Sequence, residues 1–325
     1  MKKIIKATMA ASLVLGLSAC SNPSQDANKT RIGIVQLAEH PALDQAYEGF
    51  MEAMKDAGYT EENTIFDVQN ASNDLSNCDT IADKLVSDQC DLIYAIATPA
   101  AQSVAGKTTE IPIVVSAVTD PSAAGLVEEN EAPQTNVTGA SDLTPVYDQI
   151  DLLKQIVPDV KKVAIMYCSS EDNSIVQAKL AKKAMKDAGL SYVEATVSDS
   201  NMIQQVTESL IGKVDAIYIP TDNLLAEGMS TVTQVANVND LPCIVGEVAL
   251  VEKGGLATYG INYVELGRLA GEQAVSILKG EKEVSQIPVA YLPADKCELA
   301  INTTVADQLG IKIPQDVLEK AVVIE

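Results

Sequence analysis

The chain has 325 residues, 47% of them apolar and 21% charged, which suits an ordered body of about two domains and excludes disorder and collagen-like repeats. Its formal charge is −22, and Arg31 and Arg268 are its only arginines, so the clustered basic contacts that bind nucleic acid are excluded. One histidine, His40, excludes a two-histidine metal centre and makes any Ser-His-Asp scheme depend on a single residue; no metal and no cofactor are expected.

Lys2, Lys3 and Lys6 precede a stretch of small and apolar residues, 7–19, which is the pattern of a bacterial secretory signal. The stretch is too short for a good membrane span, and no later one holds about 18 uninterrupted apolar residues. The signal ends in Leu17-Ser18-Ala19-Cys20, which resembles the lipobox of bacterial lipoproteins. That resemblance implies that residues 1–19 are removed and that Cys20 carries the lipid, palmitate included. Residues 20–30 then read as the lipidated Cys and a flexible tether. Loss of the three lysines takes the charge of −22 to about −25, so a lipid anchor rather than electrostatics would hold the body at the extracytoplasmic face of the cell membrane.

The first strand is read at 31–35 and the first helix at about 42–57, with Leu43, Ala46, Tyr47, Phe50, Met54 and Ala57 on one stripe and Gly58 as its stop. Strands follow at 91–96 and 111–117. The pattern then repeats. Ala53-Met-Lys-Asp-Ala-Gly58 recurs as Ala184-Met-Lys-Asp-Ala-Gly189; Asp91–Ile96 matches Asp215–Ile219, and Ile111–Ala117 matches Leu241–Glu247, at offsets of 131, 124 and 130. Alternating Ile/Val-rich strands and amphipathic helices predict α/β lobes with doubly wound parallel sheets. Strands near 137–143, 256–262 and 287–292 are read as hinge crossovers, with a helix at about 263–279 between the last two. The predicted lobes are 31–142 plus about 263–286, and 143–262 plus about 287–325.

Cys78, Cys90, Cys168, Cys243 and Cys297 remain beside Cys20, an odd number. Cys78 and Cys90 fall in one predicted helix, about 18 Å apart, too far to bridge. Buried thiols are expected, with Cys243 and Cys297 as the one pairing left open.

Ligands of open α/β sheets bind outside the carboxyl ends of the strands. Those loops are 36–44, 98–101, 116–121, 168–174, 221–223 and 246–247. Nearly all carry Ser, Thr, Asp or Asn, residues that also serve as helix N-caps.

Ile32–Asp44, Ala97–Gln102, Ser116–Pro121, Gly139–Asp142, Pro220–Asn223 and Thr258–Tyr263 resemble the ABC-transporter substrate-binding lipoproteins of the tryptophan/tyrosine-binding group, over about 31–320. The resemblance implies a type I periplasmic-binding-protein fold whose lobes close on a small ligand. It also implies delivery of that ligand to an ABC permease with its ATPase. Members of this branch are associated with aromatic amino acids.

The residues of an amino-acid site can be assigned on chemistry. The α-ammonium needs a carboxylate in a dry cleft: Asp222, flanked by Thr221 and Asn223, is the first choice, with Glu171 and Asp142 behind it. No arginine lies on a cleft loop. The α-carboxylate is therefore expected on helix N-termini, helped by the hydroxyls of Thr98, Ser116, Thr119 or Ser170. Leu37, Pro41, Pro99, Tyr167, Tyr259 and Tyr263 are the candidates for an apolar wall, and His40 either caps its helix or touches ligand. The reading is a solute-binding lipoprotein without catalysis. The alternatives are a ligand sensor for a membrane receptor, a binder of a nucleoside or sugar, and an enzyme, for which no Ser-x-x-Lys or spaced acid pair falls on the cleft loops.

Overall fold

The structure is a computed structural model that describes residues 29–293 and 296–325. The signal sequence, Cys20 and residues 21–28 of the tether lie outside the described residues.

The first lobe runs β1 (Thr30–Gln36), α1 (Pro41–Asp56), β2 (Thr64–Asn70), α2 (Leu75–Ser87), β3 (Leu92–Ile96), α3 (Thr98–Ala105), β4 (Ile113–Ser116) and β5 (Val137–Ser141). The second runs α4 (Val146–Ile156), β6 (Lys162–Cys168), α5 (Asp172–Asp187), β7 (Ser191–Val197), α6 (Ile203–Glu208), β8 (Ala216–Ile219), α7 (Asn223–Asn237), β9 (Cys243–Val245), α8 (Val248–Glu252) and β10 (Ala257–Gly260). The chain then returns through α9 (Tyr263–Leu278) and β11 (Ala290–Tyr291). It ends with β12 (Glu298–Asn302), α10 (Thr303–Gln308), α11 (Gln315–Leu318) and β13 (Val322–Ile324).

One sheet has the order β11-β5-β4-β3-β1-β2, the other β13-β12-β10-β9-β8-β6-β7. The series β4-β3-β1-β2 and β9-β8-β6-β7 are the same winding, which is the duplication the repeated hexamer announces. Every pairing is parallel except β10 with β12. The inner strands β3, β4, β8 and β9 are buried along their whole length, because helices cover both faces. One core fills the first lobe around Phe50 and Tyr94, whose rings stack at 3.8 Å. Two more, on opposite faces of the second sheet, centre on Tyr218 and on Met229.

The crossovers follow β5 and β10, and a third lies between Tyr291 and Glu298. The predicted boundary at 287 is therefore corrected: β11 pairs with β5 and belongs to the first sheet. Helix α9 packs against α1 so closely that a Cβ on Gly267 would stand 2.0 Å from the Ala46 carbonyl oxygen. Only glycine admits that approach, while the Asn262 side chain caps the start of α9 by accepting from the Glu265 N–H at 3.0 Å. Cys78 and Cys90 do not share a helix. Helix α2 stops at Ser87, and Gln89 takes φ +53°. Among the described residues no disulfide forms; Cys78, Cys90, Cys168 and Cys243 are buried thiols.

Candidate functional site

The carboxyl ends of the two sheets face each other, and the loops leaving them converge on an enclosed interlobe cavity. His40, Leu43, Ala117 and Asp142 line it from the first lobe, Asn173, Thr221, Asp222, Asn223 and Glu247 from the second, and Tyr263 from the returning helix. Its volume is about 10 Å³, room for roughly one water, so the lobes must part for a ligand to enter.

The loops are held where strand ends dictate. His40 is the N-cap residue of α1 in an extended conformation. Asp142 directly follows β5 and accepts from Thr119 Oγ1 at 3.0 Å and from the Tyr263 hydroxyl at 3.1 Å. Glu247 is brought in because β9 passes very near the end of β8: a Cβ on Gly246 would lie 2.4 Å from the Thr221 amide nitrogen. Two residues beside the site, Ala97 (φ +83°) and Ala117 (φ +54°), hold left-handed backbone that disfavours a side chain.

Four carboxylates gather here, and they have different partners. Asp222 caps α7 through the Leu225 N–H at 2.8 Å and accepts the Cys168 N–H at 2.6 Å. Glu171 accepts from the Asn223 N–H, Asn223 Nδ2, the Leu224 N–H and Asn173 Nδ2. Glu247 differs: it is 2% exposed, and its Oε1 has no hydrogen-bond partner. No lysine or arginine lines the cavity. Burial, reinforced by the nearby Asp142 charge, pushes the Glu247 carboxyl up to about 8. Burial likewise raises Asp142 to about 6 against its two hydroxyl donors. Asp222 is raised by burial and by the Glu171 charge. His40 moves the other way, to about 4 through burial, so its ring is neutral at pH 7.

Other buried polar atoms are also without partners: both His40 ring nitrogens, Thr98 Oγ1 and Asn173 Oδ1. Buried polar groups normally find partners, so this concentration at one cleft marks a place shaped for a polar ligand. The set divides by chemistry. Glu247 Oε1 and Asn173 Oδ1 accept hydrogen bonds; Thr98 and a neutral His40 can donate. The Cys168 thiol stands at about 11, raised by burial, which keeps it from being a ready nucleophile.

Of the residues singled out in the sequence, His40, Asp142, Asp222 and Asn223 line the cavity, and Glu171 and Thr119 bond directly to lining residues. Thr98 is buried at the first turn of α3, next along the sheet edge. Four others lie elsewhere. The Ser116 hydroxyl pairs with the Tyr94 hydroxyl inside the first lobe. Leu37 is packed in that core. Tyr259 packs on the second lobe's core, and Ser170 is exposed beside the Cys168 sulfur. Of the wall candidates, Tyr263 reaches the cavity, whereas the Tyr167 hydroxyl turns to Glu194. Sequence reasoning placed Glu247 on a cleft loop without choosing it. Its signal was there: an acid immediately after the Gly that ends a buried strand.

A model of the family described as ABC transporter substrate binding protein matches residues 31–324. The chain is 43% identical over 308 residues to a tyrosine-binding protein of Clostridioides difficile (strain R20291), covering 92% of this chain and 88% of that one. It superposes with a TM-score of 0.88 on the ABC domain from Streptococcus pneumoniae in complex with L-Trp, at 37% identity over 91% of this chain and all of that one. A ligand-free, open substrate binding protein from Clostridium difficile is closer in sequence, at 43%, but superposes at only 0.71, over 91% and 99%. Lower superposition at higher identity is what a different lobe angle produces, and the near-filled cavity agrees with a closed arrangement.

Proposed function

The chain belongs to the ABC transporter substrate-binding protein family, and we propose that it captures an aromatic amino acid, with L-tyrosine and L-tryptophan first, between its two lobes. The observation that carries this reading is the buried Glu247 carboxylate, whose Oε1 has no partner, in a cleft whose orphaned groups match both ends of a zwitterion. The α-ammonium sits on Glu247 and Asp142, with Asn173 Oδ1 as a third acceptor. This displaces Asp222 from first choice, because its carboxylate is held by two fixed backbone N–H groups, whereas the partners of Asp142 are two side-chain hydroxyls that can turn to other acceptors. The α-carboxylate rests on the Thr98 hydroxyl, the neutral His40 ring and the open N-terminus of α3. Pro99, at the second position of that helix, has no N–H, which leaves Thr98 and Ala100 as its amide donors. Leu43, Ala117 and Tyr263 give the apolar wall.

Hinge closure then buries the ligand and presents one shape to the permease; no chemical step is required. The Cys20 lipid keeps the body near the permease at the outer face of the membrane. Among the described residues no helix is long and apolar enough to cross it. Loss of the protein from membranes on Cys20→Ala is the outcome expected for that anchor.

The test is a thermal shift on protein unfolded and refolded to strip carried-over ligand. The panel is L-Tyr, L-Trp, L-Phe, branched-chain amino acids, a nucleoside and several sugars. A true ligand at 100 times its Kd adds about 2.7 kcal/mol, several degrees in Tm. A shift with aromatic amino acids alone is expected; a shift only with nucleosides or sugars overturns the ligand assignment.

A further inference from the structure

The carboxylates of the cleft pose a problem of charge. In the closed arrangement Asp142, Asp222 and Glu247 are all nearly or fully buried, and they come from three separate elements of two lobes. The Tyr263 hydroxyl has one hydrogen and two carboxyls beside it, and it donates to Asp142. Asp222 faces Glu171, the Cys168 and Leu225 amides and the Ser174 hydroxyl. His40 feels Asn223, Lys253 and Asp44. Among the described residues Lys253 is the one cation acting on Glu247, and its ammonium donates to the Ala226 carbonyl oxygen at 2.7 Å rather than lining the cavity. A buried carboxylate without a cation is too costly to persist; it is compensated or it is neutralised.

We propose that the cleft closes in one of two ways, either on the ammonium group of its ligand or, without a ligand, on protons taken up by Glu247 and Asp142, so that protons and ligand compete for the same closed cleft. This rests on the amino-acid reading for the identity of the cation, but not for the proton response. It also names what the site selects: a protonated primary amine.

The direction with pH follows from the exchange of environment. With the lobes apart, both carboxyls meet water and return toward ordinary carboxylate values, near 4. With the lobes closed they lie higher, about 6 for Asp142 and about 8 for Glu247. The closed form without ligand therefore binds more protons than the open form. Its share is greatest at low pH and falls as pH rises above about 4, the Asp142 contribution ending near 6 and the Glu247 contribution near 8. Where one proton is taken up, the ratio of closed to open molecules changes by about tenfold per pH unit. A ligand ammonium prefers the ionised carboxylates, so apparent affinity strengthens over the same rise.

The experiment is small-angle X-ray scattering of the purified, ligand-stripped protein at pH 5.5 and 8.5, for the natural chain and for Glu247→Gln, with and without L-Tyr. The amide of Glu247→Gln is neutral at every pH and keeps the shape. We expect the natural protein to be more compact at pH 5.5 than at 8.5. Glu247→Gln, with only Asp142 left to neutralise, should be more compact than the natural protein at pH 8.5 and yet bind L-Tyr about tenfold to a hundredfold more weakly. A merely structural role for Glu247 does not give closure and weaker binding together. An unchanged radius of gyration between the two pH values, or a Glu247→Gln profile identical to the natural one, overturns the proposal. If the proton response is present and L-Tyr does not compact the protein at pH 8.5, the amino-acid reading fails while the proton exchange stands.

Discussion

Asp222 and Glu247 are buried carboxylates at the ends of neighbouring strands, yet they are built for different tasks. The Asp222 oxygens meet the Cys168 and Leu225 amides, which makes it a support for the loop after β6 and for the start of α7. Asp222→Ala removes a helix cap and strands a buried N–H. We expect about 2 kcal/mol or more of lost stability by denaturant unfolding. Glu247 has an unpaired oxygen, and changing it should cost affinity rather than stability. The sequence makes both acids visible on cleft loops, but both read alike there. What separates them is which backbone N–H groups come within reach, and that depends on how β6 and β8 pair. Ser116 shows the same limit: the Tyr94 hydroxyl from the adjoining strand takes its oxygen, and nothing local in the sequence reports that contact.

At the scale of elements, strands and helices were largely legible, because alternation of Ile/Val runs with amphipathic stretches is a local pattern. The helix read at 42–57 forms at 41–56, and the one read at 263–279 forms at 263–278. The placement of β11 was not legible, since two residues carry too little pattern to say which sheet they join. Two contacts between elements also need the closed fold. Asn73, ahead of α2, donates to Glu227 on α7 at 2.9 Å, and Gln102 on α3 donates to Asp172 at the start of α5 at 2.8 Å. Both join first lobe to second at the rim of the cleft, away from the cavity. They act as latches on the closed form. Asn73→Ala and Gln102→Ala should each weaken L-Tyr binding by about two- to tenfold, chiefly through faster release, with Tm of the ligand-free protein nearly unchanged. Stopped-flow dissociation rates check this; unaltered release rates remove the latch role.

For the molecule as a whole, duplication sets the function. Two copies of one winding place their sheet ends face to face, and three crossovers let them hinge. The net charge of −22 matters at the same scale, because an acidic body is repelled by a negatively charged membrane surface, whereas a zwitterionic amino acid has no net charge to be steered. The closed geometry gathers unpartnered acceptors and donors around one cleft, among them one carboxylate oxygen of Glu247.

The most direct test of that account is a calorimetric titration at pH 8 comparing L-Tyr, tyramine and 3-(4-hydroxyphenyl)propionate on the stripped protein. Tyramine lacks the carboxylate, and the propionate lacks the ammonium. The cluster of Asp142 and Glu247 predicts that L-Tyr binds best, that tyramine still binds, and that the propionate gives no saturable heat. Tight binding of the propionate with none of tyramine would contradict it, because the cleft would then be reading an anion where its buried acids stand.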